Sequence, residues 1–363
     1  MLKISASFPL KSRRSRDLVS QGPKEFFYGM DLLNKLYKID FVDSRSETKN
    51  LMLMLRLIWE KILNRITNIG FYKSRILINR NSYTHSDIII SFNDAYSLNM
   101  GLYYKKKKKQ KIIGIFHGLS DFESRTPLIF KKYLNDKIIK SISNIDYSFF
   151  LSTSDLNNIR SKYHLNKNNS GKFIFGIDTK FWKEKNIIED IDILCVGSDL
   201  NRDYEVLSFL PTDIEIKLIT SLKINFVKNK NIEHIKGNFN NSMITDEELR
   251  EYYNRSKIIL IPIKDVFQPS GQSVALQAMA CGKVVLITKT KGLFDDRHLK
   301  DMENIVFLEK DNIKSTIKII KNILNDNKLR ARIGKSARKT VVKNFTTQEM
   351  ANCLIDVITK IKN

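Results

Sequence analysis

The sequence predicts an α/β protein built from two doubly wound, Rossmann-like domains. In the first half, strand patterns at 3–8 and 39–42 flank a glycine-containing loop and a helical pattern. In the second half, apolar runs at 258–263 and 284–287 flank a glycine turn and a helix that stops at Gly282. Both series are βαβ patterns, and such units build a parallel sheet with helices on its two faces.

Length and composition agree with two folded domains. The chain has 363 residues, of which 42% are hydrophobic and 10% aromatic, so it can bury two cores. No apolar run is long enough for a membrane-spanning helix, and the first residues are too weakly apolar for a secretory signal. We therefore expect a cytoplasmic protein. The three cysteines form neither a disulfide framework nor a metal set, and Cys195 and Cys281 are expected in the core.

The charge is strongly positive, with 62 Lys and Arg against 39 Asp and Glu and a formal net charge of +23. Such a charge predicts an anionic partner, which can be a nucleotide phosphate, an anionic membrane surface or a nucleic acid. A second explanation is a composition rich in Lys, Ile and Asn, typical of an AT-rich genome, with the charge spread over a solvated surface. Both explanations stay open at this point.

The first domain begins with the strand 3–8, a basic loop at 11–16 and Gly22. We expect the Gly22 loop at the carboxyl ends of the strands, where ligands bind in such sheets. Helical spacing from Phe26 to Leu36 and a strand at 39–42 follow.

A strongly apolar helix is predicted over 51–66, with Leu51, Leu55, Ile58 and Ile62 on one face and basic residues elsewhere. One interpretation is a core helix that packs on the sheet. The other is an amphipathic helix that lies on an anionic membrane, with each basic residue contributing about 1 kcal/mol. The lysine run 105–109 has the same two interpretations, as a solvated loop or as a contact for lipid headgroups.

Buried parallel strands are predicted at 87–91, 111–116 and 147–151, with a helix at 128–142. The second of these strands ends at His117-Gly118. A histidine at the carboxyl end of a parallel strand lies at the edge where ligands bind, and can hydrogen-bond a ligand or a developing charge.

The turn Pro269-Ser-Gly-Gln-Ser273 joins the strand 258–263 to the following helix. A helix start leaves N–H groups unpaired with the positive end of the helix dipole behind them, which suits phosphates and sugar hydroxyls. Ser270 or Ser273 is expected to cap the helix, and Gly271 lets the backbone approach a ligand. The alternative is an ordinary capped βαβ unit.

The stretch Ala278-Met-Ala-Cys-Gly-Lys-Val284 resembles the donor-sugar motif of the retaining glycosyltransferases of family 4 (group 1). The usual motif is Glu-x7-Glu followed by Ala-Met-Ala-x-Gly-Lys-Pro-Val, and here Pro269 and Gln277 replace the two glutamates in a Pro-Ser-Gly-Gln-Ser variant. The segment from Gly176-Ile-Asp178 to Phe181-Trp182 resembles the hinge of the same family. The resemblance covers most of the second half and is thin in 1–150.

This resemblance implies the GT-B fold, in which two Rossmann-like domains face each other across a cleft. The expected boundaries are 1–178 for the acceptor-side domain, 179–190 for the hinge and linker, and 191–345 for the nucleotide-sugar domain. A C-terminal helix at 346–363 is expected to pack back on the first domain.

The resemblance also implies roles for single residues. His117 is the expected catalytic residue, presented to the transferred sugar. The donor-binding residues implied are Ser270, Gly271, Gln272, Ser273, Gln277, Arg202 and Lys283, with Gln277 at the ribose and the two cations at the diphosphate. No bound cofactor and no metal are expected; Asp190-Ile-Asp192 resembles the metal motif of another glycosyltransferase fold, but its place in a linker favours chance.

The predicted function is sugar transfer from a nucleotide-diphosphate donor to a glycan, lipid-linked or phosphorylated acceptor, with retention, in cell-envelope polysaccharide synthesis. The protein is expected in the cytoplasm or peripherally on the inner face of the membrane, and nucleic acid is the least favoured partner. Two alternatives stay open: a GT-B epimerase or hydrolase of nucleotide sugars, and a non-catalytic basic protein that binds membranes or RNA.

Overall fold

The computed structural model describes residues 2–9, 22–67, 70–224, 231–237 and 244–362. The predicted basic loop at 11–16 lies outside the described residues. Chain contacts divide the described residues into two compact units. The first unit holds 2–9, 26–67, 70–174 and 350–362, and the second holds 22–25, 175–224, 231–237 and 244–349.

The first unit is a six-stranded parallel sheet in the order β2-β1-β3-β4-β5-β6. Its strands are β1 Lys3–Phe8, β2 Lys38–Asp43, β3 Ile88–Phe92, β4 Lys111–Phe116, β5 Tyr147–Phe150 and β6 Ser170–Lys172. Its helices are α1 Met30–Leu33, α2 Leu51–Thr67, α3 Lys73–Ile78, α4 Arg80–Tyr83, α5 Asp94–Tyr103, α6 Leu119–Ser124, α7 Leu128–Ser143 and α8 Thr153–Tyr163.

The central strands of this sheet are covered on both faces. Ile90 of β3 lies in register with Ile113 of β4, and both are fully buried. Ala6 of β1, which pairs with Ile90, is fully buried too. Continuous apolar strands of this kind are typical of parallel sheets with helices on both sides.

The predicted single helix from Phe26 to Leu36 is wrong. A short 3-10 turn, Glu25–Phe27, is separated from α1 by Tyr28 and Gly29, which have left-handed φ angles of 53° and 77°. The break has a packing cause, because a Cβ at Gly29 would lie 2.9 Å from Cα of Ala351. The spacing of apolar residues was helical, but the contact with Ala351 requires a bend.

The second unit is also a six-stranded parallel sheet, in the order β12-β11-β10-β7-β8-β9. Its strands are β7 Ile191–Val196, β8 Ile216–Ile219, β9 Ile232–Ile235, β10 Ser256–Ile261, β11 Val284–Thr288 and β12 Val306–Leu308. Its helices are α9 Asp246–Arg255, α10 Gln272–Ala280, α11 Ile313–Asn325, α12 Asn327–Asn344 and α13 Thr347–Lys362, with a 3-10 helix at Tyr204–Phe209. In α13, the residues from Met350 onward group with the first unit.

Strand order reverses between β7 and β10 in the second sheet. Numbered within the unit, the order is 6-5-4-1-2-3, which is the Rossmann order. The two strands are parallel neighbours, with Ile193 beside Ile258, so the loops after both emerge at one edge. Such a switch point is where open α/β sheets leave a crevice for a ligand.

The predicted α/β class with two doubly wound halves is confirmed, while the predicted domain boundaries stay a prediction. Cys195 and Cys281 are buried as expected. Among the described residues, no helix has both the length and the apolar character needed to cross a bilayer.

The segment predicted as the hinge is held by backbone contacts in the second unit. The N–H of Ile177 donates to the carbonyl of Phe345 at 2.9 Å, and the N–H of Thr347 donates to the carbonyl of Ile177 at 3.1 Å. A Cβ at Gly176 would lie 1.9 Å from the carbonyl oxygen of Thr346. Only glycine allows the two backbones to lie this close together.

Replacing Gly176 with alanine is therefore expected to lower the free energy of unfolding by about 1–3 kcal/mol, since the added methyl group overpacks a backbone contact. Urea unfolding followed by circular dichroism measures the change. The matched control is Gly237→Ala, whose added Cβ would lie 3.3 Å from the nearest atom, Cγ2 of Ile219. Equal midpoints for the two variants would contradict the assignment of Gly176 as a close-approach glycine.

Candidate functional site

Two loops meet at the switch point of the second sheet, 197–203 after β7 and 262–272 after β10. Ser270 Oγ donates to the carboxylate of Asp199, at 2.8 Å from each oxygen. Backbone hydrogen bonds also join the loops. The two loops therefore form one continuous edge.

Arg202 places a buried cation in this edge. Its side chain is only 3% exposed, and its Nε lies 3.2 Å from Asp199 Oδ2. A Cβ at Gly197 would lie 2.5 Å from Arg202 Nη2, and a Cβ at Gly271 would lie 2.8 Å from Nη1. The guanidinium thus lies between two glycine turns. Any other residue at position 197 or 271 would place its Cβ against this group.

Two nitrogen atoms of this guanidinium, Nε and Nη1, are buried and make no hydrogen bond to the described residues. Burying a charge with unsatisfied donors costs free energy. The side chain is held in place despite this cost by the loop contacts of Asp199. A buried guanidinium with open donors is suited to bind a phosphate oxygen.

Helix α10 begins beside this cation. Its N-cap is Gly271, with a left-handed φ of 79° and no side-chain cap. The expected capping by Ser270 or Ser273 is therefore wrong, because the hydroxyl of Ser270 is hydrogen-bonded to Asp199 instead. The N–H of Gln272, the first residue of the helix, donates to the carbonyl of Pro269 at 3.3 Å, and no side chain caps the helix start. The positive end of the helix dipole therefore lies at this edge, which is an arrangement that favours anions.

Gln277 lies inside α10 and is almost fully buried, at 5% exposure. Its Oε1 accepts a hydrogen bond from the hydroxyl of Tyr253 at 3.1 Å, and its Nε2 donates to Glu25 Oε1 at 2.8 Å. The indole Nε1 of Trp182 donates to the same oxygen of Glu25 at 2.8 Å. Both ends of the amide are thus hydrogen-bonded to residues of the second unit. One of these residues, Glu25, is distant in the sequence.

Glu25 is fully buried, and its second oxygen, Oε2, has no hydrogen-bond partner among the described residues. Burial raises the pKa of this carboxyl from 4.5 to about 7, although the hydrogen bond from Gln277 acts in the opposite direction. Near neutral pH the group therefore binds and releases a proton.

Other predicted donor residues lie near this edge or away from it. Gln272 and Ser273 form the first turn of α10, with Gln272 buried. Lys283 lies beyond the other end of α10, a helix of 9 residues and so about 14 Å long. Its Nζ pairs with Glu189 Oε1 at 2.7 Å. The structure does not bring Lys283 together with Arg202.

Two further sequence features are Gly22 and the Asp190-Ile-Asp192 segment. Gly22, expected on the acceptor side, is half-buried and groups with the second unit. Asp190 pairs with Arg255, and Asp192 with Lys257, so both carboxylates already have cationic partners. In the described part of the chain, no cluster of His, Cys, Asp and Glu has the arrangement to hold a metal ion.

His117 follows β4 in the first unit, at the carboxyl edge of that sheet, and is partly exposed. Its ring packs beside the ring of Tyr28, with 5.8 Å between centroids and 3.5 Å between Nε2 and the tyrosine hydroxyl. Its backbone N–H donates to Asp94 Oδ1 at 3.0 Å. The neighbouring Gly118 N–H donates to the same oxygen at 3.2 Å.

The half-buried Asp94 and the fully buried Asp155 hold the turn that contains His117. Asp155 accepts hydrogen bonds from the N–H groups of Leu119 and Ser120, directly after the two that Asp94 accepts. Burial raises the pKa of Asp94 to about 7, and the charge of Asp155 raises it further, while burial raises the pKa of Asp155 to about 6. The position of His117 is thus set by two side chains outside its own loop.

Sequence reasoning identified Arg202, Ser270 and Gly271, which the structure brings together. It missed Asp199 and Glu25. Asp199 was visible as a carboxylate three residues from Arg202 in the same turn. Glu25 had no signal in the sequence, since it lies 252 residues from Gln277.

The described geometry can be compared with known proteins. The family described as "Glycosyl transferases group 1" matches residues 228–340, which contain the 269–273 turn and α10. The capsular polysaccharide biosynthesis glycosyltransferase CapM of Staphylococcus aureus is 24% identical over 194 residues. That alignment covers 53% of this chain and about half of CapM, 47% of its length. The resemblance to the group 1 family is confirmed, whereas the motif variant and the family 4 assignment stay predictions.

Solved structures match the whole chain. A sucrose-phosphate synthase from Thermosynechococcus elongatus has a TM-score of 0.74 at 13% identity, with 99% of each chain covered. HepE from Anabaena, in complex with UDP and glucose, has a TM-score of 0.68 at 10% identity, covering 99% of this chain and 100% of HepE. A glycosyltransferase from Rickettsia africae has a TM-score of 0.67 at 14% identity, covering 99% and 98%. At these identities the likeness shows the fold, and the predicted GT-B class is confirmed.

Replacing Gly271 with alanine is expected to damage the site and the stability together. The left-handed φ strains any other residue, and the new Cβ would lie 2.6 Å from Cγ2 of Ile261 as well as close to Arg202. We expect a loss of about 1–3 kcal/mol in the free energy of unfolding. Chemical unfolding measures it against the Gly237→Ala control, and a variant as stable as that control would show that the turn can relax.

Glu25→Gln is expected to change how stability depends on pH. Since the pKa of Glu25 is raised from 4.5 to about 7 in the folded chain, its stabilising effect is complete below pH 4.5 and is lost as the pH rises through about 7. Glutamine keeps a neutral group at all pH values. The variant should therefore gain stability relative to the parent between pH 5 and pH 8, by up to about 3 kcal/mol.

Unfolding midpoints at several pH values test this expectation, and comparison of variant with parent cancels the parallel effects of Asp94 and Asp155. Glu205→Gln, at an exposed position of the same unit, is the matched control for replacing one carboxylate with an amide. A pH-independent difference for Glu25→Gln would mean that the carboxyl does not titrate in this range.

Proposed function

We propose that this chain is a group 1 glycosyltransferase that moves a sugar from a nucleotide-diphosphate donor to a glycan, lipid-linked or phosphorylated acceptor. The family match over 228–340 and the likeness to CapM support the class. The binding of UDP and glucose by HepE supports the donor type. We propose retention of configuration and membership of family 4 on the motif at 278–284.

One observation carries the donor assignment: the buried guanidinium of Arg202, with open donors, lies against Gly271 at the uncapped start of α10. A diphosphate placed there would receive charge-assisted hydrogen bonds from Arg202 and from the backbone N–H groups of Gly271 and Ser273. Each such bond supplies about 1.5–3 kcal/mol. Uncharged sugar hydroxyls would not compensate the buried charge.

The same groups would assist the chemistry. When the bond between the sugar and the diphosphate breaks, negative charge grows on the leaving phosphate. Arg202 and the dipole of α10 are fixed in position before this happens, so they stabilise the developing charge without rearrangement. We therefore propose metal-independent transfer.

We propose that His117 hydrogen-bonds the transferred sugar. The packing of its ring on Tyr28 and the clamp on its backbone by Asp94 support this role, because a catalytic group needs a fixed orientation. The part-exposed ring also has access to a ligand.

The remaining predicted site residues receive different roles. Ser270 holds Asp199 and thereby Arg202. The N–H of Gln272 donates to the carbonyl of Pro269, so we propose Ser273 as the backbone donor of the first turn of α10. Gln277, with both ends of its amide hydrogen-bonded, is better suited to hold Glu25 than to contact a ribose. Lys283 and Gly22 keep their predicted donor and acceptor roles only as proposals, and Lys283 is already paired with Glu189.

We propose a cytoplasmic location with peripheral attachment to the inner face of the membrane, and a role in cell-envelope polysaccharide synthesis. CapM, named for capsular polysaccharide biosynthesis, supports the process. The excess of 62 basic over 39 acidic residues supports an anionic surface as a partner.

Thermal unfolding with a panel of nucleotide-diphosphate sugars, followed by mass analysis of products on lipid and oligosaccharide acceptors, tests the proposal. A ligand at 100 times its Kd should stabilise the folded chain by about 2.7 kcal/mol. Arg202→Gln should abolish this stabilisation. His117→Ala should keep the stabilisation and lower transfer about a hundredfold, because it removes a contact to the reacting sugar.

Lys264→Gln is the matched control for Arg202, since it removes an exposed cation from the neighbouring loop 262–272. No stabilisation by any nucleotide would favour a non-catalytic binding protein. Release of free sugar or an epimer without an acceptor would favour a hydrolase or epimerase. Unchanged transfer by His117→Ala would remove that residue from the site.

A further inference from the structure

Helix α2 presents its apolar side chains to solvent. Met52 is 77% exposed, Ile66 64% and Trp59 60%. The other large apolar side chains that the helix exposes are Leu51, Met54, Leu55, Ile58, Ile62 and Leu63. The core interpretation of this helix is therefore wrong.

The side of α2 that packs on the rest of the first unit carries polar side chains beside the half-buried Leu53 and Leu57. Glu60 and Thr67 are its buried residues. Glu60 accepts hydrogen bonds from Arg56 Nε and from the N–H of Ser74, both at 3.1 Å. Asn64 exchanges two hydrogen bonds with the backbone of Phe71, at 2.8 and 2.9 Å.

This arrangement is the inverse of an ordinary surface helix, which buries its apolar side. Apolar surface in water is unfavourable, and a contiguous exposed patch of this size marks an interaction site. The polar contacts hold the helix without using its apolar side. The apolar side is therefore available to a partner.

The charges of α2 indicate the kind of partner. At 3.6 residues per turn, Leu55, Ile58 and Ile62 lie on the side opposite Glu60. Lys61 and Arg65 lie along one flank of that apolar side, and Arg56 along the other, all three exposed. An apolar face between two basic flanks suits a lipid surface with anionic headgroups.

We propose that α2 lies in the interfacial plane of an anionic bilayer, with its apolar side among the acyl chains and its basic flanks at the lipid phosphates. This names the docking element behind the proposed peripheral location. It depends on the helix surface alone, and not on the donor site.

A second copy of the chain is a poorer partner for this face. Glu60 is the one acidic residue in 51–67, and it is buried and bonded to Arg56. Pairing two α2 faces would bring cations together without a carboxylate between them, in a chain of formal charge +23. A bilayer supplies the missing anions.

Helix α7 also exposes large apolar side chains. Leu128 and Ile129 are exposed, as is Tyr133, one helical turn after Ile129. A tyrosine at the margin of an apolar patch fits the headgroup level of a membrane.

Trp59 gives a direct test, since the other tryptophan, Trp182, is fully buried and supplies a constant background. Vesicles of phosphatidylglycerol and phosphatidylcholine at low salt should shift the emission of Trp59 to shorter wavelength and carry the protein in flotation. Vesicles of phosphatidylcholine alone, or high salt, should weaken both effects, because screening removes the electrostatic part. Trp59→Phe should lose the shift but still float.

Two double variants separate the electrostatic and the apolar contributions to vesicle binding. Lys61→Gln with Arg65→Gln should lower the partition coefficient about 30-fold, as two basic residues contribute about 1 kcal/mol each. Ile58→Ser with Ile62→Ser should lower it at least tenfold at unchanged charge. Ile188→Ser with Phe209→Ser, two exposed apolar positions of the second unit, is the matched control and should bind as the parent does.

Three results would overturn the proposal. One is no emission shift with anionic vesicles at low salt, and another is equal binding to neutral vesicles. The third is a shift that appears without lipid and grows with protein concentration, which would assign the face to a second copy. None of these results bears on donor binding, which is measured without lipid.

Discussion

The burial of one guanidinium group organises the second unit. Arg202 is nearly inaccessible to water and lies between the glycine turns at 197 and 271, with Asp199 as its anionic neighbour. A buried cation with open donors is costly unless something compensates it. The loop contacts keep it where two parallel strands of the sheet diverge, and the start of α10 faces the same space. The cost of that burial is the physical reason to expect an anion there.

A second buried group, the carboxyl of Glu25, lies beside Gln277. The resemblance places Gln277 where related sequences carry a carboxylate, and the structure places the carboxyl of Glu25 2.8 Å from its amide. The pKa of Glu25 is raised to about 7 by burial, so this carboxyl is not a permanent charge. An amide beside a titratable carboxyl gives this corner a charge that depends on pH, which a fixed glutamate in a solvated site would not.

The first unit contains both a well-buried sheet and a helix with exposed apolar side chains. Its central sheet is made of buried isoleucine strands, and the turn with His117 is held by the carboxyls of Asp94 and Asp155. Its helix α2 is instead fastened by Glu60 and Asn64 and leaves its apolar side in solvent. The unit thus combines a turn that is held in place by side-chain hydrogen bonds with a helix that exposes its apolar side chains. The net positive charge of the chain does not by itself identify a partner. Lys61 and Arg65 place part of that charge next to the exposed apolar side of α2.

Local patterns in the sequence were enough for the βαβ repeats, since apolar periodicity and glycine turns are set within about ten residues. They were also enough for the 269–273 turn, which joins a strand to a helix, whereas the role of Arg202 came from the resemblance to the group 1 family. Glu25 beside Gln277, the clamp of Asp94 on His117 and the break at Gly29 depend on contacts between distant segments. The orientation of α2 shows most clearly what local sequence patterns cannot determine. Its periodicity is the same whether its apolar side faces a core or a membrane, and only the tertiary hydrogen bonds of Glu60 and Asn64 decide which side is buried.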